Sequence, residues 1–362
     1  MKLILFGFFF LLLSCGTKPD DCDDSQIPDT ENLCKYSKWL KISEKKDLVR
    51  IEITNPDDPS QIVKLKLPNF KSNKRKSQTY DVKNPIQRIA VLSSTHIGML
   101  GELDLTHRIV AVSNLKYVYN PELKRRKLIQ LGDEQTISIE KIISSGAEVV
   151  IYSGFSNEFP KQNLLHKIGI KTIPNYDWRE IHPLGRAEWI LLFGYLTGHA
   201  QQAKNKFKEI CLNYEKIQSS IETNEGPTLL SGNITGDFWY APAGQSYHAK
   251  LFKDAGFSYV FSEEKGTGSI PLSFEKVLGI TSDVDLWLNP GFQSKEQILQ
   301  SHPKSRLLSP LNQSSVFCYS HNRNKYWEVS ACRPDLILSD FAELKKGDEM
   351  NVNNLVFYKL VE

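Results

Sequence analysis

One short motif occurs twice in this chain, and it constrains the architecture more than any other feature. Ile137-Ser138-Ile139-Glu140-Lys141-Ile142-Ile143 matches Leu272-Ser273-Phe274-Glu275-Lys276-Val277-Leu278 in character at every position. In both places a hydrophobic strand begins nine residues past the Glu, at Val149 and at Val284. A Ser ahead of such a run is a helix N-cap, so each copy predicts one capped helix feeding one strand. Each Glu then stands in a first helical turn. A single Glu there only complements the helix dipole, worth ~0.3–1 kcal/mol. Two in duplicated settings point to a shared surface role, because paired carboxylates on a two-lobed body match two basic sockets on a symmetric partner.

The rest of the pattern agrees with two lobes. Short apolar runs recur with helix-length spacers at Ile89–Ser93, Ile109–Ser113, Val149–Ser153 and Thr172–Tyr176. The rhythm resumes at Thr228–Ser231, Tyr259–Phe261, Val284–Asn289 and Val316–Tyr319. Parallel strands need long crossovers, so this spacing predicts parallel sheets covered by helices. Between the two sets, Ala203, Phe207, Ile210, Tyr214, Ile217 and Ile221 recur at helical steps, and Gly226-Pro227 ends the run. From His199 to Glu222, a rise of ~1.5 Å per residue gives about 36 Å, enough for a stiff strut between lobes. Ahead of the body, Asp47–Ile53 and Ile62–Leu67 alternate around Asn55-Pro56-Asp57-Asp58-Pro59, which predicts a β-hairpin. The fold class is α/β: two Rossmann-like lobes with mainly parallel sheets joined by one long α-helix, plus an N-terminal β-hairpin extension. The boundaries are 38–84 for the extension and connector, 85–198 for the first lobe, 199–226 for the helix and 227–362 for the second lobe.

The chain start predicts export. Lys2 precedes an apolar run from Leu3 to Leu13, which is too short for the roughly 20 residues of a membrane-spanning helix. Leu12-Leu13-Ser14-Cys15 is similar to a bacterial lipobox, giving a signal peptide over 1–14, a lipidated Cys15 and an acidic tether over 15–37. With 45 Lys and Arg against 42 Asp and Glu, the net charge of +3 excludes a nucleic-acid partner. Beyond Cys15, five cysteines remain; an oxidising compartment permits pairs such as Cys22–Cys34 or Cys318–Cys332, with at least one thiol free.

Ser94-Thr95-His96-Ile97, His182-Pro183-Leu184-Gly185-Arg186-Ala187-Glu188-Trp189, Asp254-Ala255-Gly256, Tyr326-Trp327-Glu328 and Arg333-Pro334-Asp335 carry a resemblance. From about Pro85 to its end the chain resembles the substrate-binding lipoproteins of ABC importers that take ferric siderophores, haem or cobalamin. The resemblance implies a monomer held by its lipid at the periplasmic face of a bacterial membrane. It binds an iron or cobalt chelate and needs no cofactor or protein-bound metal of its own. Its partner is a permease dimer with its ATPase, whose arginines meet Glu140 and Glu275.

In a bilobed α/β protein the ligand sits where loops leave the carboxyl ends of the strands. Those loops supply His96, Tyr117, Trp178, Arg179, Arg186, Trp239, Tyr240, Tyr247 and Trp327 as cleft candidates. Aromatic rings with polar edges suit a large chelate, and Arg suits its anionic groups. Trp178, Trp239 and Tyr240 equally suit packing within a lobe, whereas Trp189 and Trp287 read as buried. His96 is either a ligand contact or a hydrogen-bonded structural residue. Arg186 is open between the cleft, a helix cap and a pair with Glu188. The rival class is an exported metal-dependent enzyme, but the chain has no H-E-x-x-H, G-x-S-x-G, Walker A or G-x-G-x-x-G motif.

Overall fold

A computed structural model describes residues 31–71, 80–155, 158–222, 226–320 and 324–362. The signal run, Cys15, Cys22 and most of the acidic tether lie outside these residues. Among the described residues, no helix is long and apolar enough to cross a membrane.

The extension holds the expected hairpin and one strand more: β1 Leu40–Glu44, β2 Leu48–Thr54 and β3 Ile62–Pro68 form an antiparallel sheet in that order. Alternation buries Val49, Ile51 and Ile53 on one face of β2. That face packs into the same apolar core as both lobes, so the extension is integral to the body.

The first lobe contains β4 Ile89–Val91, β5 Ile109–Val112, β6 Ile129–Gln130, β7 Val149–Tyr152 and β8 Lys171–Pro174. They pair in parallel in the order β6-β5-β4-β7-β8. The chain reverses direction across the sheet between β4 and β7, which opens a crevice at their carboxyl ends. The second lobe contains β9 Thr228–Ser231, β10 Asn233–Thr235, β11 Phe238–Pro242, β12 Ser258–Tyr259, β13 Ser269–Ser273, β14 Leu286–Leu288, β15 Val316–Tyr319 and β16 Tyr358–Leu360. Its main sheet runs β12-β9-β14-β15-β16, parallel except for β16. The reversal here falls between β9 and β14. The remaining strands β10, β11 and β13 form a small antiparallel sheet where loops were expected.

Both capped helices of the repeat form as read, while the second strand starts at Leu286, two residues past Val284. Ser138 caps the helix Ile139–Ser145 and Ser273 caps Phe274–Leu278, each hydroxyl accepting from the backbone N–H three residues on, at 3.3 and 3.2 Å. Glu140 and Glu275 are exposed. The strut is the helix Ala200–Ser220, which buries Ala203, Phe207, Ile210 and Tyr214. Tyr214 donates to Asp254 of the second lobe at 2.7 Å, and Gln202 to the Leu103 carbonyl of the first at 3.0 Å. Cys34, Cys318 and Cys332 are buried free thiols, so the Cys318–Cys332 pairing does not form. Burial accounts for them without a bond.

The lobes also meet directly. The helix Ser94–Gly101 of the first lobe lies against Tyr326–Val329 of the second so closely that a Cβ on Gly98 would stand 1.6 Å from the Glu328 carbonyl oxygen. The Glu328 carboxylate reaches back and accepts from the N–H groups of Tyr119 and Asn120 at 2.5 and 2.9 Å. His96, on the same helix, turns away from the inter-lobe face. It is fully buried with its ring 5.9 Å from that of Phe193, which corrects its assignment to the cleft.

Two outcomes follow from this helix. Gly98→Val should destabilise the chain by about 3 kcal/mol or more, because backbone on both sides must move. Gly101→Ala, whose methyl would meet only the Thr106 Cγ2 at 3.9 Å, is the thermal-melting control. Burial pushes the His96 pKa down from 6.5 to about 4, outweighing the nearby Asp177. The unfolded chain therefore takes up a proton that the folded chain refuses. Stability is full above about pH 6.5 and falls by about 3 kcal/mol as pH drops toward 4. Urea denaturation across that window should show His96→Leu less acid-sensitive, by close to one proton's slope.

Candidate functional site

Both crevices open onto one cavity between the lobes, with a volume of about 610 Å³. From the first lobe come Ser93, Ser94 and Thr95 after β4, Tyr117 and Tyr119 after β5, and Trp178 after β8. From the second come Ser231 ending β9, Gly232, Asn233 opening β10, Tyr240 and Pro242 on β11, Asn289 and Gly291 after β14, and Tyr319 closing β15. Loops at the carboxyl ends of strands flanking a reversal have backbone groups and side chains free to meet a guest.

Arg186 stands at the centre of the wall. Pro183 starts its helix, and His182 caps it by accepting from the Leu184 N–H at 3.1 Å. The guanidinium pairs with Asp177 at 3.0 Å, both side chains being almost wholly buried. Thr95 donates to the other Asp177 oxygen at 3.2 Å, and Asn175 accepts from the Asp177 N–H at 2.9 Å. Across the lobe boundary the Arg186 guanidinium lies over the Tyr247 ring at 4.2 Å. Burial would lower the Arg186 pKa, but Tyr247 and Asp177 hold it above its ordinary value. The pair with Glu188 is not formed.

Six tyrosines and two tryptophans also line the cavity. Tyr319 and Tyr326 stack at 3.9 Å and 6° between planes, and Trp327 meets Tyr319 edge-on at 5.3 Å. Trp178 is fixed by its indole N–H donating to the Ser153 carbonyl at 2.8 Å. His248 also lines the cavity; burial and the charge of Arg186 push its pKa down to about 3, so its imidazole stays neutral.

Of the sequence-predicted cleft residues, the structure brings together Tyr117, Trp178, Arg186, Tyr240, Tyr247 and Trp327. It leaves out three. His96 lies beneath the wall, as described. Trp239 is wholly buried, its indole donating to the Ser231 carbonyl at 3.2 Å and packing on Trp287 at 5.3 Å. The reason is strand periodicity, since β11 sends Tyr240 out and Trp239 in. Arg179 turns to the extension, with its two nitrogens 3.1 and 2.6 Å from Asp57. Sequence reasoning missed Ser231, Asn289, His248, Tyr319 and Tyr326. Ser231 ends β9 and Asn289 directly follows β14, flanking the reversal between them, a signal that strand order alone would have supplied. Trp189 and Trp287 are buried as read.

Among the described residues, no three His, Cys, Asp or Glu side chains cluster to hold a metal ion. A second groove, of about 660 Å³, runs between Ile53–Val63 of the extension and Tyr152 and Phe159 of the first lobe. It involves one lobe only and lacks the aromatic stack. Each repeat helix precedes a parallel strand, β7 in the first lobe and β14 in the second, and carries its Glu in the first turn. The Glu140 backbone N–H and the Ser138 hydroxyl hold the Glu140 carboxyl below its usual pKa.

Comparison with known proteins agrees with this geometry. An uncharacterised lipoprotein of Methanocaldococcus jannaschii is 23% identical over 327 residues, covering 86% of this chain and 74% of the relative. A possible iron-binding periplasmic solute-binding protein of Staphylococcus epidermidis superposes with a TM-score of 0.58 at 16% identity, covering 72% of this chain and 99% of that one. The periplasmic vitamin B12-binding protein of Vibrio cholerae does so at 0.53 and 17% identity, over 73% and 98% of the two chains. The periplasmic haem-binding protein of the same organism gives 0.57 and 14%, over 70% and 97%. The sequence profile of one family matches residues 89–307, more than half of the chain, and by that match the chain belongs to the periplasmic binding protein family.

Proposed function

We propose that this protein captures a metal-chelate nutrient between its lobes and delivers it to an ABC importer. The observation that carries the reading is the cavity itself. Both lobes contribute, its walls carry six Tyr and two Trp, and its size suits a ligand larger than a bare ion. Ferric siderophores, corrinoids and haem all have the flat or rounded apolar faces that such walls bind. The similar proteins, a possible iron-binding protein, a vitamin B12-binding protein and a haem-binding protein, support the same range. Delivery falls to Glu140 and Glu275, exposed at equivalent places on the two lobes and available to basic sockets on a permease dimer. The Cys15 lipid anchor keeps the protein at the membrane where that permease sits.

Trp178 and Trp327 report on the cavity directly. Titrating ferric siderophores, cyanocobalamin and haemin should quench tryptophan fluorescence with micromolar or tighter affinity for at least one of them. Chemical conversion of a bound compound would instead favour an exported enzyme. Glu140→Arg combined with Glu275→Arg should leave that affinity intact and abolish uptake in cells that depend on the protein. Normal uptake by the double variant would refute the docking role.

A further inference from the structure

Four consecutive residues connect the N-terminal extension to the cavity wall. Asp177 holds Arg186, and Trp178 lines the wall itself. Arg179 and Glu180 turn the other way and are gripped by the extension. The stretch is one tight turn, its Arg179 and Glu180 N–H groups donating to the Tyr176 and Asp177 carbonyls at 2.9 and 3.2 Å. A shift on its outer side therefore reaches its inner side.

The grip has three parts. The Trp39 indole donates to the Arg179 carbonyl at 3.2 Å. Glu180 accepts from the Lys38 and Trp39 N–H groups at 2.9 and 3.3 Å. Asp57, between β2 and β3, meets the Arg179 guanidinium with both carboxylate oxygens at 2.6 and 3.1 Å. Such a two-point pair fixes the plane of a guanidinium as well as its place. That plane bears on the cleft, because the Arg179 guanidinium lies over the Trp178 ring at 5.1 Å. On the first lobe's own side, Trp178 is held by the Ser153 carbonyl and by the Phe155 ring at 5.1 Å.

The Asp57 carboxylate has little part in folding. Its side chain is 57% exposed, and solvent weakens ion pairs at the surface. The turn around it is closed by other groups: Asn55 accepts from the Asp57 N–H at 2.9 Å and Asp58 from the Ser60 N–H at 3.1 Å. What the carboxylate does fix is the pose of an arginine that covers a cavity-lining ring.

Resting on the capture reading above, we propose that the extension takes part in ligand recognition, with Asp57 setting the pose of Trp178 through Arg179. Asp57 is a positioning residue, acting on the guest through two side chains of the first lobe.

The test uses the full chain in detergent. Labelled with 5-fluorotryptophan, its six Trp give six fluorine resonances, and Trp178→Phe identifies the one of interest. Asp57→Ala should shift or broaden that resonance while those of the buried Trp189 and Trp287 stay in place, with thermal melting unchanged. Asp57→Glu, which keeps the carboxylate, should restore it. Ferrichrome, cyanocobalamin and haemin serve as binding probes. For whichever the wild-type protein binds, Asp57→Ala should weaken affinity about 3- to 5-fold, the range that a surface ion pair supplies. In a Trp178→Ala background the same change should have no effect, because the two residues act in series. An unmoved Trp178 resonance in folded Asp57→Ala, or equal weakening in both backgrounds, overturns this inference and leaves the capture reading in place. Failure of every probe to bind the wild-type protein removes the capture reading, and the role of Asp57 in recognition with it.

Discussion

The structure depends on a contact in which two backbones touch. Gly98 lets the helix after β4 lie directly on the Glu328 carbonyl, and no residue with a Cβ fits there. The Glu328 side chain then satisfies the N–H groups of Tyr119 and Asn120, which would otherwise be left unpaired in the loop after β5. Burial pushes the Glu328 carboxyl above its usual pKa, against those two N–H groups and the nearby Lys325 and Lys124, which favour the charged form. A carboxylate in that position is worth keeping only if both donors stay in place, so the two lobes are held in register at the floor of the cleft.

Fixing the floor pre-forms the walls. Tyr326 and Trp327 directly precede Glu328, and Tyr119 is one of the residues it binds. The same hydrogen bonds that join the lobes therefore also aim the rings of both sides into the cavity. The strut adds a second restraint, because Ala200–Ser220 is tied to one lobe through Gln202 and to the other through Tyr214 and Gln218. A third contact crosses the boundary where Arg333 of the second lobe lies 3.5 Å from Glu102 of the first. With three connections of different kind, a large hinge motion would break polar contacts between the lobes, and the capture proposed above would work through side chains and loops. Pre-organisation of this sort lowers the entropy lost on binding.

How much of this was legible follows from which signals are local. Helix caps, strand runs and the strut are written in neighbouring residues, and Ser138, Ser273 and the Ala203–Tyr214 stripe folded as read. Trp239 reads from the sequence as a loop residue, which leaves the face it takes undefined. A five-residue strand, Phe238–Pro242, imposes a two-residue alternation that no loop has. Arg179 and Arg186 sit seven residues apart with similar apparent promise, yet one meets Asp57 of the extension and the other Asp177. Asp57, 122 residues away along the chain, leaves no trace in the local pattern around Arg179. His96 was lost for a related reason, since the helix Ser94–Gly101 is buried on the side that faces Phe193.

The motif Leu184–Trp189 shows how one short stretch serves both faces of the first lobe. Arg186 points to the cleft, while Glu188 points the other way and accepts from the backbone N–H groups of Lys35, Tyr36 and Ser37 at 2.7, 2.9 and 2.7 Å. Glu180 continues the pattern, accepting from the Lys38 and Trp39 N–H groups at 2.9 and 3.3 Å and from the Trp189 indole at 3.0 Å. Gly185 makes room for that segment, because a Cβ there would come within 2.9 Å of the Tyr36 carbonyl. Burial raises the pKa of both carboxyls, so their ionised forms rely on these donors. Residues 35–39 are thus pinned one helical turn behind the cleft wall rather than trailing from it.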